Sequence, residues 1–318
     1  MKTAIIILNW NGADDTLACL NSMLLLQGDF RIVVVDNGST DDSVARIKQW
    51  ISLNGEAVSV ELLPLDKNYG FAIGNNKGVA YARTQNPDYY LLLNNDTEVE
   101  PDFLMKLTDF ATNNPEYSVL TPKIHYFFDK TKIWNCGGKM FMGFKKYFYA
   151  KQTDDAIKET GFIPISFITG CALFFSNEQL DANGNLLTER FFFGEEDFEF
   201  SMRMNAQKIK MACVLNSVIY HKVSASSSKL SGLGKVYLHY LNRFIDIRIH
   251  SSQPFYLLWV LLNVPLCLLN FYKASHSLLA SFRFISHLLV DAGKKSGVSK
   301  ADFEALVVNK TYFKNETL

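Results

Sequence analysis

The first 125 residues alternate between short apolar runs and stretches whose apolar residues recur at helical spacing. Residues 3–9, 31–36, 58–63, 89–94 and 117–122 read as strands. Ile5-Ile6-Ile7-Leu8 and Ile32-Val33-Val34-Val35 are apolar at every position, as expected of parallel strands covered on both faces. Between them, Leu17, Leu20 and Leu24 share one helical face, and Ser39-Thr40-Asp41-Asp42 is placed to cap a helix running through Trp50. Strands alternating with crossover helices predict an α/β fold built on a doubly wound, mostly parallel sheet.

Residues 126–165 are rich in aromatics and lysine without a clear period, which predicts an irregular excursion with short strands, suited to face an acceptor. Residues 166–176 read as a buried strand interrupted by Gly170, a helix begins near Glu196, and a last strand over 211–220 ends at His221. From Val236 the character changes. Residues 255–272 carry no charge over 18 positions, near the lower limit for a membrane-spanning helix, and Asn263 and Pro265 interrupt their middle. A membrane-dipping or interfacial hairpin is expected there, with a core helix of a small C-terminal domain as the alternative. The chain thus divides into a catalytic domain over 1–230 and a helical, basic, apolar region over 231–318.

Composition narrows the function. With 318 residues, 48% of them hydrophobic, the chain can bury a large core, and 32 basic against 32 acidic residues leave no net field to attract nucleic acid. Residues 231–318, however, hold ten Lys or Arg against five Asp or Glu, so an anionic membrane surface is the expected partner of the tail. Five scattered cysteines without CxxC spacing, and an N-terminal apolar run too short for a signal peptide, predict a reducing, cytoplasmic setting.

In open α/β sheets, ligands bind beyond the carboxyl ends of the strands. Four such ends are polar here: NWNG at 9–12, DNGSTD at 36–41, DKNYG at 66–70 and NNDTE at 94–98. One would be an ordinary turn, whereas four in register predict a shared ligand site.

In order along residues 3–228, the segments NWNG, VVVDNGSTDDS, NYGFAIGNNKG, LLLNNDTEV, GCALFF, FFFGEEDFEFSMR and IYHKVSASS closely resemble the family-2 glycosyltransferases of GT-A fold. Within that family, the chain looks most like the bacterial rhamnosyltransferases of surface-polysaccharide synthesis. The resemblance implies a Rossmann-like sheet with flanking helices and single-displacement sugar transfer with inversion at the anomeric carbon. It also implies a donor-binding set of Asn9, Asn11, Asp36, Asn68, Gly70, Asn76 and Asn95, and a metal site at Asp96 and His221 for Mg²⁺ or Mn²⁺. Asn94 stands where the family's metal motif has its first acidic residue. Asp197 is the implied catalytic base, with Glu196 second, because an acceptor hydroxyl attacks well only as its proton is removed. Glu199 and Arg203 read as a helical i,i+4 pair, and Cys171 as packing.

The expected reaction moves one sugar from a dTDP- or UDP-linked donor, dTDP-rhamnose first, onto a glycan or polyprenyl-linked acceptor. Its expected place is the cytoplasmic face of the inner membrane, as a peripheral or monotopic protein. Two alternatives stand beside it. A sugar nucleotidyltransferase would need a Gly-rich basic loop after the first strand, which residues 9–15 lack. A non-catalytic carbohydrate-binding or scaffolding protein would accord with the missing first carboxylate.

Overall fold

A computed structural model describes residues 1–223 and 233–309. Twelve strands occur among them: β1 Lys2–Asn9, β2 Asp29–Asp36, β3 Val60–Pro64, β4 Tyr89–Asn94, β5 Thr97–Val99, β6 Tyr117–Tyr126, β7 Ile133–Asn135, β8 Gly138–Phe141, β9 Phe144–Tyr147, β10 Phe162–Ile165, β11 Ala172–Ser176 and β12 Lys210–His221. The helices are α1 Ala13–Ser22, α2 Ser43–Asn54, α3 Phe71–Arg83, α4 Phe103–Asn113, α5 Glu196–Ala206, α6 Leu233–His250, α7 Gln253–Ser275, α8 Leu278–Lys294 and the short α9 Lys300–Phe303.

The main sheet runs β10-β12-β6-β11-β4-β1-β2-β3, with β5 added to β12 and β7 to β6. The pairs β1–β2, β1–β4, β2–β3 and β6–β12 are parallel. Antiparallel β11 lies between β4 and β6 and joins the two parallel blocks. Alternate residues serve opposite faces: Ile5 and Ile7 pack with Leu20, Trp50 and Phe103 on the α1, α2 and α4 side, while Ile6 packs with Val79, Phe200 and Met204 on the α3 and α5 side. This is the expected mostly parallel sheet with helices on both faces. Each fully buried Ile or Leu contributes about 1.5–3 kcal/mol, so the central strands anchor the strand ends that follow them.

Three sequence expectations change. The strand expected over 166–176 is shorter: only β11, Ala172–Ser176, forms there, in the sheet's middle, while β10, Phe162–Ile165, belongs to the irregular stretch before it and lies on the far edge beside β12. The chain turns between them at Thr169-Gly170-Cys171, where it meets α5. Residues 39–42 cap α2 only in part: Asp41 accepts from the Ser43 N–H at 3.0 Å, while Ser39 is drawn away to Asp36.

The interrupted hairpin of 255–272 is instead one unbroken helix, α7, with Pro265 inside it. Proline removes a single N–H there. Asn263 points inward and donates to the Trp259 carbonyl at 2.8 Å, so it supports the turn it was expected to break. The reversal comes later, at His276-Ser277, where α8 turns back along α7. The helices α6 to α8 bury Phe244, Trp259, Phe271 and Phe284 together with Phe191 and Phe198 from earlier in the chain. The expected boundary at 230/231 and the 224–228 end of the last motif lie outside the described residues.

Candidate functional site

The carboxyl ends of β1, β2 and β4 align because Asn9 faces Asp36 and Leu8 faces Asn94 in the parallel register. His221 closes β12 opposite Thr97, one residue from Asp96. Three of the four polar segments expected to cooperate therefore meet along one sheet edge, joined by His221.

At the first two strand ends the side chains form a frame. Asn9 donates to Asp36 Oδ2 at 2.7 Å and accepts from the Thr16 hydroxyl at 2.8 Å. Asp36 also accepts from the Ser39 N–H at 2.9 Å and hydroxyl at 2.7 Å. Asn11, in left-handed geometry, accepts from the Thr40 N–H at 2.8 Å, and Asn95 donates to the Thr16 hydroxyl at 3.0 Å. Asn9 is fully buried, so its side chain braces the strand ends from beneath.

Asn68 accepts from the Gly70 N–H at 2.8 Å and from Asn37 at 3.1 Å, fixing the turn into α3. Gly70 has φ +88°, and a Cβ there would lie 2.2 Å from the Phe192 carbonyl oxygen, so only glycine lets this turn approach the 192 strap. Asn76 departs from its expected role as a donor-binding residue. It donates to the Leu187 carbonyl and Glu189 and accepts from the Leu186 and Leu187 N–H groups, all within 3.1 Å. Both its donors and both its acceptor positions are thereby spent on holding residues 186–189.

Asp96 and His221 come together: His221 Nε2 lies 3.0 Å from Asp96 Oδ1, both side chains buried. Two cis ligands each about 2.1 Å from an octahedral cation are about 3.0 Å apart, so the pair has the spacing of adjacent ligands on one ion. No group of three or more His, Cys, Asp or Glu is arranged for a metal among the described residues. A cation here would therefore complete its shell with phosphate and water oxygens. The Trp134 ring packs edge-on against the His221 imidazole, 4.4 Å between centroids, and fixes its plane.

Asp197 sits on the first turn of α5, its Cβ beside Gly170, while the Cys171 carbonyl accepts from the Asn94 N–H at 2.9 Å. A continuous contact path thus runs from Asp197 to the start of the Asn94-Asn95-Asp96 turn. Burial raises the Asp197 pKa above the usual aspartate value; Lys145, 3.9 Å away on β9, opposes that rise. Burial also pushes the Cys171 thiol far up, which accords with packing and not nucleophilic attack.

The motif FFFGEEDFEFSMR contains Glu195, but its partners are not legible in the sequence. Glu195 takes αL geometry at φ +67° and is held by Arg243 of α6 through two guanidinium contacts, one at 2.7 Å, and by His239 at 2.8 Å. Burial works against ionisation of Glu195, but Arg243, His239 and Lys145 outweigh it and hold the carboxyl far below the usual range. Asn242 donates to the Phe193 and Gly194 carbonyls at 3.1 and 2.9 Å. The tail helix α6 therefore grips the acidic segment directly. The one available signal was the polar set Asn242, Arg243 and Asp246 inside an apolar helix. Glu199 pairs with Arg203 as expected, at 3.5 Å, and also with His250 at 3.1 Å.

Glu196, the second choice of base, is turned inward: it accepts from the Gly194 N–H at 2.8 Å, and burial lifts its pKa to about 8. A carboxyl whose pKa rises on folding contributes stability that is whole below its unfolded value, about 4.3, and lost as pH climbs through the folded value. Glu196→Gln fixes the neutral form and keeps the acceptor. Its Tm advantage over the wild type is therefore expected to grow from about pH 5 to about pH 8, with activity retained; an equal advantage at both ends would contradict the buried-carboxyl assignment.

Residues 4–181 match the family model described as glycosyl transferase family 2. None of the curated protein sequences matches the chain. Among solved structures, a mannosyltransferase from Pyrobaculum calidifontis in complex with GDP-Man and Mn²⁺ is similar over 92% of this chain and 74% of its own, at 13% identity and a TM-score of 0.56. Residues 1–349 of S. aureus TarS in complex with UDP-GlcNAc align over 97% of this chain and 76% of theirs, at 14% identity and a TM-score of 0.53. GalNAc-T7 with UDP, GalNAc and Mn²⁺ is similar over 98% of this chain and 57% of its own, at 14% identity and a TM-score of 0.60. At such identities these are likenesses of fold.

Proposed function

Because this chain belongs to glycosyl transferase family 2, we propose that it transfers one sugar from a nucleotide-sugar to an acceptor hydroxyl, with inversion, using a divalent ion. The observation that carries this reading is the Asp96–His221 pair at 3.0 Å on the same sheet edge that Asp197 approaches through Gly170 and Cys171.

In this reading the Asn9, Asn11, Asp36 and Asn95 frame seats the nucleoside, and Asn68 with Gly70 closes beside the donor sugar. Asp96 and His221 would hold Mg²⁺ or Mn²⁺, which neutralises charge building on the leaving diphosphate; the Mn²⁺ bound by two of the similar structures favours manganese. Asp197 takes the acceptor proton as the hydroxyl attacks the anomeric carbon. Lys145, 3.9 Å away, opposes the effect of burial and favours the carboxylate form of Asp197.

The donor we favour is dTDP-rhamnose, then a UDP-sugar, and the acceptor a lipid-linked or polysaccharide glycan of the cell surface. A membrane surface is the proposed setting, on the cytoplasmic side. Only 22% of the most apolar window of α7 is buried, and Leu257, Leu258, Leu261, Leu262, Leu266 and Leu269 are exposed along it. Aqueous surfaces rarely carry so long an apolar stripe, and the basic tail suits anionic lipid.

The test is a panel of nucleotide-sugars, with Mn²⁺ and acceptor extract, read by nucleoside diphosphate release. One donor is expected to react well above the rest. Glycan binding with no donor turned over, across dTDP-, UDP- and GDP-sugars, would favour the carbohydrate-binding alternative and overturn this reading.

A further inference from the structure

Between the 67–69 turn, the 189–192 strap and the loop joining α8 to α9 lies a cleft of about 790 Å³, a volume typical of small-molecule sites. Lys67, Arg190, Lys294, Lys295 and Lys300 line it against only Glu189 and Asp302, a surplus of three positive charges in a chain with none overall. Both carboxylates are engaged: Asp302 pairs with Lys295, and Glu189 accepts from Asn76 at 3.1 Å. The cleft walls are fixed, since Val298 and Arg190 exchange backbone hydrogen bonds with their neighbours across it, Phe192 N–H to the Val298 carbonyl and Val298 N–H to the Arg190 carbonyl, both at 2.8 Å.

The cleft is separate from the nucleoside frame. None of Asn9, Asn11, Asp36, Asp96 and His221 lines it, and the 67–70 turn stands between, tied by Asn37 to the Tyr69 N–H at 3.0 Å on one side and resting on Phe192 on the other. It nevertheless abuts the reacting groups, for Asn68 and Phe192 form part of its wall, and Gly70 and the acidic segment follow them directly.

Its outer end meets an apolar path. Along α8, Leu279, Phe282, Leu289 and Val290 are exposed, with Arg283, Ser286 and His287 exposed between them, and Lys294 follows Val290 by one helical turn on the same face. A mainly apolar face that also carries basic groups, leading into a cationic cleft, complements an amphiphile with an anionic head. We propose that this cleft binds the pyrophosphate of a lipid-linked acceptor, with the lipid chain lying along the outward face of α8. The proposal depends on the glycosyl-transfer reading only for naming the ligand an acceptor.

Farnesyl pyrophosphate, titrated calorimetrically into the full-length protein without detergent, is the probe, with farnesol, inorganic pyrophosphate and UDP or dTDP as comparison ligands. Farnesyl pyrophosphate is expected to bind at least tenfold tighter than farnesol or inorganic pyrophosphate and to be undisturbed by saturating nucleotide. Lys294→Glu/Lys300→Glu is expected to weaken it by tenfold or more while nucleotide binding stays within twofold, which also certifies the variant's fold. Inorganic pyrophosphate binding as tightly would assign the cleft to a free phosphate compound; competition by nucleotide would assign it to the donor. Either result, or unchanged binding in the variant, overturns the proposal. Nucleotide binding without any farnesyl pyrophosphate binding would sink this inference and leave the transfer reading intact, whereas loss of both in the wild type would sink both.

Discussion

Asp197→Asn is expected to lower kcat by about 10²- to 10⁴-fold, the range supplied by a positioned general base, while donor affinity stays within about threefold. Asparagine keeps the shape of the side chain beside Gly170 and Phe71 but cannot accept the acceptor's proton. Glu196 does not substitute, because its carboxyl is turned to the Gly194 N–H, and Glu195 is committed to Arg243 and His239. Initial rates with saturating donor and acceptor check this. A variant within about tenfold of the wild type would move the base elsewhere. Since burial raises the Asp197 pKa, the wild-type rate should fall on the acid side at a pH above that of an ordinary aspartate.

The second large effect is expected at Asp96. Asp96→Ala removes one of the two proposed protein ligands, which stand 3.0 Å apart, so kcat/KM should fall about 10²- to 10³-fold, several kcal/mol of charge stabilisation. The loss should be greatest at low Mn²⁺, because the ion then rests on His221 and the donor phosphates alone. His221→Ala is expected to behave similarly but less severely, a neutral imidazole carrying less of the ion's charge. Titrating rate against Mn²⁺ for the three proteins tests this; identical metal dependence in all three would contradict the shared site.

Much of this site was readable because its parts lie at the ends of strands that declare themselves. Ile5-Ile6-Ile7 and Val33-Val34-Val35 are apolar at consecutive positions since both faces of the sheet are covered, and the polar residues after them can then only be at its edge. Residues that depend on distant partners were not readable. Asn76 sits in a glycine- and asparagine-rich stretch of α3 like its neighbours, yet it serves residues 186–189, more than a hundred positions away. The shortening of the 166–176 strand follows from pairing: only Ala172–Ser176 finds strand neighbours, β4 and β6, while β10 before it pairs with β12.

Pro265 and Asn263 show the opposite error. Both oppose a helix locally, but α7 is held along its length by α6 and α8, and the Asn263 amide satisfies a carbonyl within it. Tertiary packing outweighs such local costs. The grip of Arg243 on Glu195 was hidden for the same reason. A buried guanidinium needs an anion, and nothing in α6 alone says which one. Leaving either partner of such a pair alone costs about 3–5 kcal/mol, so the tail is part of the acidic segment's support.

The central claim is that Asp96 and His221 hold an ion which in turn holds the donor diphosphate. Calorimetric titration of dTDP and of UDP into the wild-type protein, with and without Mn²⁺, tests it most directly. At least one nucleotide is expected to bind about tenfold tighter or more when Mn²⁺ is present. Equal affinity with and without the ion, for both nucleotides, would contradict it.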